Sequence, residues 1–560
     1  AAAIRPLAES TPRGRVLVVN PSPRDRVDLV EIDLDVPAAW ESVELEVPGG
    51  ERLPTQLVER PETVLRRLQL TGRQVPELFA RRLHGRELFG HSLDGHTIER
   101  DGTTARLTLR MDDPAASPEF DVDSILDAVA AAVAGSPDEP WEVVVVRGDR
   151  RRLLAAVPAP ALGASSVRAV EAGGDAAFVR QPVVVDERSI RNGLVSATVD
   201  DAGTLTIEGG GVKLAGAGRI VDGGDFGDTY NYGPPADDAR IDRPSVVVVA
   251  ATATGPLRGR LEIVARYDWP VGLAAGGAAR SAVTAPVEVS TALELRAGEP
   301  FVRVRVAFTN PARDHRVRWH LPLPAATDRS AAEGQFAVVE RGLTVEAGHG
   351  EVPIATAPAA SFVHAAGATI LLDHVTEYEL VDGRELALTV LRSTGLISRN
   401  ENPFREDPAG PEVPVPDAQL VGPWTFTFAV MPHAGSWEDA GVVEAAESYR
   451  LPFVTTAGTA GAAPSAVAEA AVPGLTIDGR GVVLSALRRR GSALELRVVA
   501  LTDTPTEARI GGRPFAAARD VDLLGRPGRE LSIDPDGSLS IPLGAWEIRT
   551  VRLEPRATSA

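Results

Sequence analysis

No cysteine occurs in the 560 residues, which excludes disulfides, thiol catalysis and any metal site built on thiolates. Lysine is almost as scarce: Lys213 stands alone among basic residues that are otherwise arginine. It lies in "GGGVKLAG", which is not a Gly-x-x-x-x-Gly-Lys-Ser/Thr phosphate loop. There is no H-E-x-x-H, no H-x-D and no G-x-S-x-G, and the nine histidines are dispersed, so neither a zinc signature nor a serine elbow is present. Apolar runs such as "VVVVAATA" (246–253) fall far short of the ~20 residues that span a bilayer. Positive charge is also short, since the formal net charge is −19, which argues against nucleic acid as a partner. The chain opens "AAAIRPLAESTPRGRVLVVNPS", with no initiator Met and no charged segment followed by an apolar one. It reads as a piece of something longer, or a processed product; with no signal or membrane segment in the sequence and no cysteine, a cytoplasmic location is favoured.

What is present is a long, ordinary globular composition, with 44% hydrophobic and 24% charged residues. At about 150 residues per domain the length asks for three or four domains. Short alternating runs closed by Pro, Gly or Asn begin early: "GRVLVVN" (14–20), "VDLVEIDLDV" (27–36) and "SVELEV" (42–47). That is the grammar of sandwich strands. From about residue 76 it changes, and "VPELFARRLHGRELFG" (75–90) and "VDSILDAVAAAVAG" (122–135) carry helical spacing. In the second, Ile125, Val129 and Val133 share one face and Gly135 is the stop. Strand grammar returns at "WEVVVVRG" (141–148).

The expectation is a mainly β protein of several antiparallel sandwiches. Residues 1–180 form a first small β-sandwich domain with a partly helical insertion at about 76–140. Residues 181–450 form a large antiparallel super-sandwich, in which "DDAG" (200–203) is a hairpin turn between alternating strands. A helical link at 437–453 leads to a linker, residues 451–474, whose Ala, Gly and Pro leave few large side chains to pack. Residues 475–560 make a last small β-sandwich.

One stretch is over-specified for a plain connection. "GDFGDTYNYGPP" (224–235) packs three glycines, two aspartates, two tyrosines and two prolines into twelve residues. Glycine opens left-handed backbone space, proline fixes φ, and Asp or Asn close local turns. Asp225 and Asp228 could face a common ligand beside the flat, hydroxyl-tipped Tyr230 and Tyr232, as a sugar site is often furnished. They could also be the paired carboxylates of a glycosidase, although closing Asx turns is the commoner use of such residues. Arg316, Arg318 and His320 alternate in "DHRVRWH" (314–320); the usual meaning is the wet face of a strand, the sharper one a cleft lined by His315 and Arg316. Arg399 and Arg405, in "LRSTGLISRNENPFREDPAGP" (391–411), are by default solvated loop residues.

Four stretches, taken in order, resemble the C-terminal half of glycoside hydrolase family 38, the α-mannosidases. They are "VVNPSPRDRVDLVEIDL" (18–34), "NGLVSATVDDAGTLTI" (192–207) leading to "GDFGDTYNYGPP", "NPARDHRVRWHLPLP" (310–324), and the whole of 376–433. Together they run through most of the chain from residue 18, and only the 76–140 insertion has no counterpart. The resemblance implies a central galactose-mutarotase-like super-sandwich facing a catalytic barrel. It makes Tyr230 the residue that touches substrate, with Asp225 and Asp228 shaping its loop and Arg399, then Arg405, approaching the sugar. It also implies a retaining, zinc-dependent hydrolase of terminal α-mannosides in glycans or oligosaccharides. The nucleophile, acid/base and zinc ligands would lie on an N-terminal barrel and helical bundle that this chain lacks, so no catalytic residue and no metal are assigned to it. On this reading the chain supplies scaffold and one wall of the sugar site, and its partners are the α-mannoside, the barrel and bundle, and a homo-oligomer, with neither nucleic acid nor membrane. Two alternatives stay open: a stand-alone carbohydrate-binding or structural β-sandwich protein, and a sandwich made catalytic by Asp225 and Asp228.

Overall fold

The computed structural model describes residues 4–556 apart from 38, 102–103, 113–120, 136, 174–177, 344, 346, 349 and 461–469. It is mainly β and mainly antiparallel.

Near the N-terminus a five-stranded and a three-stranded sheet face each other. Alternation in Arg26–Val36 puts Val30, Ile32, Leu34 and Val36 inside, against Val16, Val18, Leu45, Leu153 and Val167. The edge strand of the five-stranded sheet comes from far along the chain: Val454–Ala457 pairs with Arg15–Val19. Part of the span expected to be a linker is therefore a strand. Ladder hydrogen bonds come from the backbone and need no large side chains, which is why composition hid it. Residues 461–469 of that span lie outside the described residues.

Between Thr55–Glu59 and Asp149–Ala159 the chain builds a separate two-layer unit with six strands. Its strands Thr104–Met111 and Pro140–Arg147 are parallel, and the helix Val122–Ala134 between them makes the crossover such a pair requires. Asp121 caps that helix, accepting from the Asp123 and Ser124 N–H groups, and Ile125, Val129 and Val133 are buried as their spacing predicted. The helical spacing at 75–90 is only half realised. The helix Gln74–Arg82 ends there, and Leu83–His84 and Glu87–Leu88 form a tiny hairpin. Gly85 sits at φ 63° between them, where helix cannot continue.

The large unit layers two five-stranded sheets and a nine-stranded one around a single core. Trp269 and Trp319 lie at its centre, with Phe428 edge-on to Trp319 at 4.9 Å between centroids. The hairpin at 200–204 forms, with both Asp200 carboxylate oxygens accepting from Thr204. The helix Val442–Arg450 then seals Val442, Val443, Ala446 and Tyr449 against Phe301 and Phe362, and against Val499 and Leu501 of the last unit. That last unit pairs a three-stranded with a five-stranded sheet over Ile477, Leu496, Val498, Ile510 and Leu553. Among the described residues no helix is long and apolar enough to cross a membrane.

Candidate functional site

Two sequence-distant loops meet because of one sheet. The strand His315–Pro322 has Arg219–Gly224 on one side and Glu385–Ser393 on the other, both antiparallel to it. Those two flanking strands therefore run the same way. Gly224 and Ser393 both sit opposite His315, so the loop 225–235 and the loop 394–411 leave the same end of the sheet at the same level.

Asp225 is the first residue out and has no exposed surface. Its Oδ1 accepts from the Gly227 N–H at 2.8 Å and the Gly233 N–H at 3.1 Å, and its Oδ2 accepts from Arg392 Nε at 2.7 Å. Complete burial pushes this carboxyl above its ordinary range, against the opposing pull of Arg392 and the two N–H groups. Arg392 also donates to the Asp228 and Asn231 carbonyls at 2.6 and 2.7 Å. One guanidinium thus closes the loop on itself. Gly227 is required here, because a Cβ would meet the Asn231 carbonyl at 2.0 Å.

Asp228, likewise without exposed surface, has every acceptor position used. Its Oδ1 takes the Tyr230 and Asn231 N–H groups at 3.0 and 2.9 Å, and its Oδ2 takes the Arg399 N–H at 2.7 Å and Arg405 Nη2 at 2.6 Å. Burial works to raise this carboxyl too, but the Arg405 bond and the three backbone donors prevail and hold it below the usual carboxylate range. Two things separate the carboxyls: Asp225 lies deeper and is more fully desolvated, and Asp228 has four donors against three, as charge-assisted bonds favour the ionised form. Arg405 is itself buried and committed, donating also to Asp407 O, Asn231 Oδ1, Ser398 Oγ and Arg399 O.

Two of the sequence's candidates remain presented outward. Tyr230 is 58% exposed although its N–H is pinned to Asp228. Arg399 donates its backbone N–H to Asp228 and its Nε to the Gly227 carbonyl at 3.2 Å, and its guanidinium stacks 4.0 Å from the Phe226 ring centroid. Its terminal nitrogens have no partner among the described residues. Phe226 in turn fills the space over Gly277, where a Cβ would lie 2.0 Å from the ring. Asp228 therefore holds the backbones of Tyr230 and Arg399 from opposite sides, and all five candidates, Asp225, Asp228, Tyr230, Arg399 and Arg405, belong to one connected cluster.

Sequence reasoning left out Arg392, Phe226 and Asn231. Arg392 lies inside the quoted arginine-rich stretch, but its partner is 167 residues away and nothing local marks it. The wet-face reading of Arg316, Arg318 and His320 is overturned, for all three are buried. Their strand is internal to its sheet, and the polar row is covered: Tyr232 lies 3.6 Å under Arg316, Glu379 pairs with Arg318 at 2.6 Å, and Glu385 with His320 at 2.7 Å. His315, weighed as a cleft residue, is wholly buried between Asp222 Oδ1 at 2.6 Å and Asn310 Oδ1 at 3.0 Å. Arg280 completes that buried group at 2.6 Å from Asp222 Oδ2. Among the described residues no three His, Asp or Glu side chains come together as a metal site.

No protein-family model matches the chain. Over 239 residues it is 28% identical to a protein of Halalkalibacterium halodurans named "Putative mannosylglycerate hydrolase", a match over 39% of this chain and 25% of that one. Among solved structures it resembles an α-mannosidase from Enterococcus faecalis V583, with a TM-score of 0.69 and 17% identity over 99% of this chain and 58% of the other. A protein in glycosyl hydrolase family 38 from Enterococcus faecalis gives the same TM-score and identity, with 60% of its length covered. At that identity the likeness shows the fold. The β-rich architecture read from the four stretches is thus shared with family 38 structures across nearly the whole chain, which spans about three-fifths of their length and a quarter of the curated relative's.

Proposed function

We propose that this chain is the β-rich portion of a glycoside hydrolase acting on terminal α-mannosides, in which it supplies scaffold and one wall of the sugar site. The observation that carries this reading is the anchoring of Tyr230 and Arg399 by the single carboxylate of Asp228. Four donors on one buried acceptor fix two presented side chains relative to each other, and preorganisation of this kind is what a binding wall needs. Asp225, Asp228 and Arg405 shape the loops from behind. The nearest polar groups to a sugar would be the Tyr230 hydroxyl and the terminal nitrogens of Arg399.

The cluster does not favour a catalytic role for Asp225 and Asp228, whose oxygens are all turned inward onto N–H groups and arginines. Chemistry belongs, on this reading, to a barrel and helical bundle elsewhere, with a retaining mechanism and a zinc ion. No three ligands for that ion come together among the described residues, and no step is derived through it. A homo-oligomer in the cytoplasm is the assembly and location the reading expects.

A second substrate reading is favoured by Arg399 itself. A fork with its rotamer fixed by stacking and its terminal nitrogens uncommitted suits a carboxylate, so a mannoside with an anionic aglycone, of the mannosylglycerate kind, fits this wall.

The test is hydrolysis of 4-nitrophenyl α-D-mannopyranoside by this chain alone and after addition of a barrel-bearing polypeptide with zinc. Silence alone and activity in combination are expected, with Tyr230→Phe lowering kcat/KM about tenfold, the size of one neutral hydrogen bond. Activity of this chain alone would overturn the assignment. Arg399→Leu should raise KM for mannosylglycerate and spare the nitrophenyl substrate; an equal loss on both removes the anionic reading.

A further inference from the structure

The strand Val246–Ala253 forms one edge of the nine-stranded sheet and pairs on one side only, with Arg258–Pro270. Among the described residues no backbone hydrogen bond reaches it from the other side. Its sequence, "VVVVAATA", contains no charge, no proline and no glycine, and Val246 and Val248 are 49% and 57% exposed. Edge strands are normally blunted by lysine, proline or inward charges, because bare N–H and C=O groups on a β-branched edge invite another strand. One blunting feature does exist. The register with the neighbouring strand slips between Ala251 and Ala253, which limits the regular edge to residues 246–251.

We propose that this edge is where two copies of the chain meet, by antiparallel pairing of residues 246–250 across a two-fold axis at Val248. An antiparallel ladder alternates hydrogen-bonded and non-bonded residue pairs, so a two-fold axis normal to the sheet must pass through a residue paired with itself. Centred on Val248, the joint sets Val247 against the partner's Val249 and Val246 against the partner's Ala250. Apolar meets apolar at every position.

The next strand in decides the register. There Arg266 lies beside Val246, Val264 beside Val248 and Glu262 beside Ala250, each on the same face as its neighbour. A two-fold axis at Val248 therefore aligns Arg266 with the partner's Glu262 at either end of a four-strand row, three strand spacings or about 14 Å apart at the backbone. Arg266 also pairs with Glu288 of its own chain at 2.6 Å, and Glu262 also accepts from Ser290 of its own chain. Centring on Val247 or Val249 destroys this correspondence, because a charge then faces Val264 instead. The edge is self-complementary in shape and charge in one register, as an isologous interface demands. A foreign strand would share the apolar fit and lack the charge match.

Sedimentation velocity and light scattering on this chain should show a dimer that dissociates on dilution. Val248→Lys puts two ammonium groups face to face on the axis and should give a monomer with an unchanged circular dichroism spectrum, because the side chain is more than half exposed. Val375→Lys, at a valine 68% exposed elsewhere, should leave the dimer intact. Amide exchange at 246–250 should slow with rising concentration in the parent chain and not in Val248→Lys. A parent chain that is monomeric at every concentration overturns the proposal. If those amides are then slow, the edge is covered by its own chain; if fast, it is simply open. A dimer that survives Val248→Lys places the interface elsewhere and overturns it equally.

Discussion

Two regions of this molecule bury carboxylates beside arginine and use them differently. In the loop cluster Asp225 and Asp228 each accept from backbone N–H groups and from one guanidinium. In the last unit Glu495, 1% exposed, is approached by the side chains of Arg488, Arg490 and Arg552. Glu495 lies in Ala493–Ala500, whose backbone is already fixed by a ladder on both sides. Residues 225–235 have no such ladder. There the carboxylates do the work of one, since buried backbone donors must find acceptors. The same residue types are thus structural to a backbone in one place and only to a surface charge cluster in the other, and the count of backbone donors tells which.

Removing a guanidinium from the loop should cost the most. Arg405→Leu leaves the Asp228 carboxylate buried with one charge partner gone, and losses of that type run at about 3–5 kcal/mol. Because the chain has several cores, the effect belongs to local opening rather than to global unfolding. Amide exchange at Tyr230, Asn231 and Arg399, the three N–H groups bound to Asp228, should accelerate by about two to three orders of magnitude. Glu495→Gln should leave exchange in Ala493–Ala500 nearly unchanged. Equal effects at both places would show that donor count is irrelevant.

Acid separates the two carboxylates of the loop. Asp228 is held below the ordinary carboxyl value, so its contribution is complete above about pH 4 and is lost as pH falls through its folded value. Asp225 is pushed above that value, so its contribution is complete below about pH 4 and fades as pH rises through its own folded value. The stability difference between the parent chain and Asp228→Asn should therefore close on acidification, and that for Asp225→Asn should widen in the parent's favour. Exchange of the loop amides in the three proteins across this range, corrected for the intrinsic pH dependence, decides it; two curves of the same slope would mean that Arg392 outweighs burial at Asp225.

Much of this cluster was legible beforehand, and the parts that were not share a cause. Glycines and aspartates mark the turn at 224–235 locally, because φ and Asx chemistry are local properties. Ile125, Val129 and Val133 were legible for the same reason. Arg392 and the burial of Arg316, Arg318 and His320 depend on which strands become neighbours, and alternation gives a strand two faces without saying what covers the second. Val454–Ala457 was missed in the opposite way, as a strand held by backbone bonds in a composition that reads as linker. Arg399 and Arg405 were indistinguishable as sequence, six residues apart in one loop; only the fold turns Arg405 inward and leaves Arg399 presented.

Around Glu495 a single arginine should matter little. Arg490 Nε stands 3.5 Å from Glu495, with its side chain 47% exposed. Arg490→Ala leaves Arg488 and Arg552 on the carboxylate at 2.6 and 3.1 Å. Arg490 is the half-exposed and most distant of the three partners of Glu495, and holding such a side chain in place loses entropy, so the change should lie within about 0.5 kcal/mol. Salt provides the contrast, because at about 1 M the screening length falls to about 3 Å. The difference between the parent chain and Arg490→Ala in the exchange of Ala493–Ala500 should then disappear. The loop amides bound to Asp228 should keep their protection at the same ionic strength, since Asp228 and Arg405 are both buried. If salt loosens the loop as well, the buried pairs are open to ions, and the distinction between backbone-shaping and surface carboxylates fails at the residue where it is drawn most firmly.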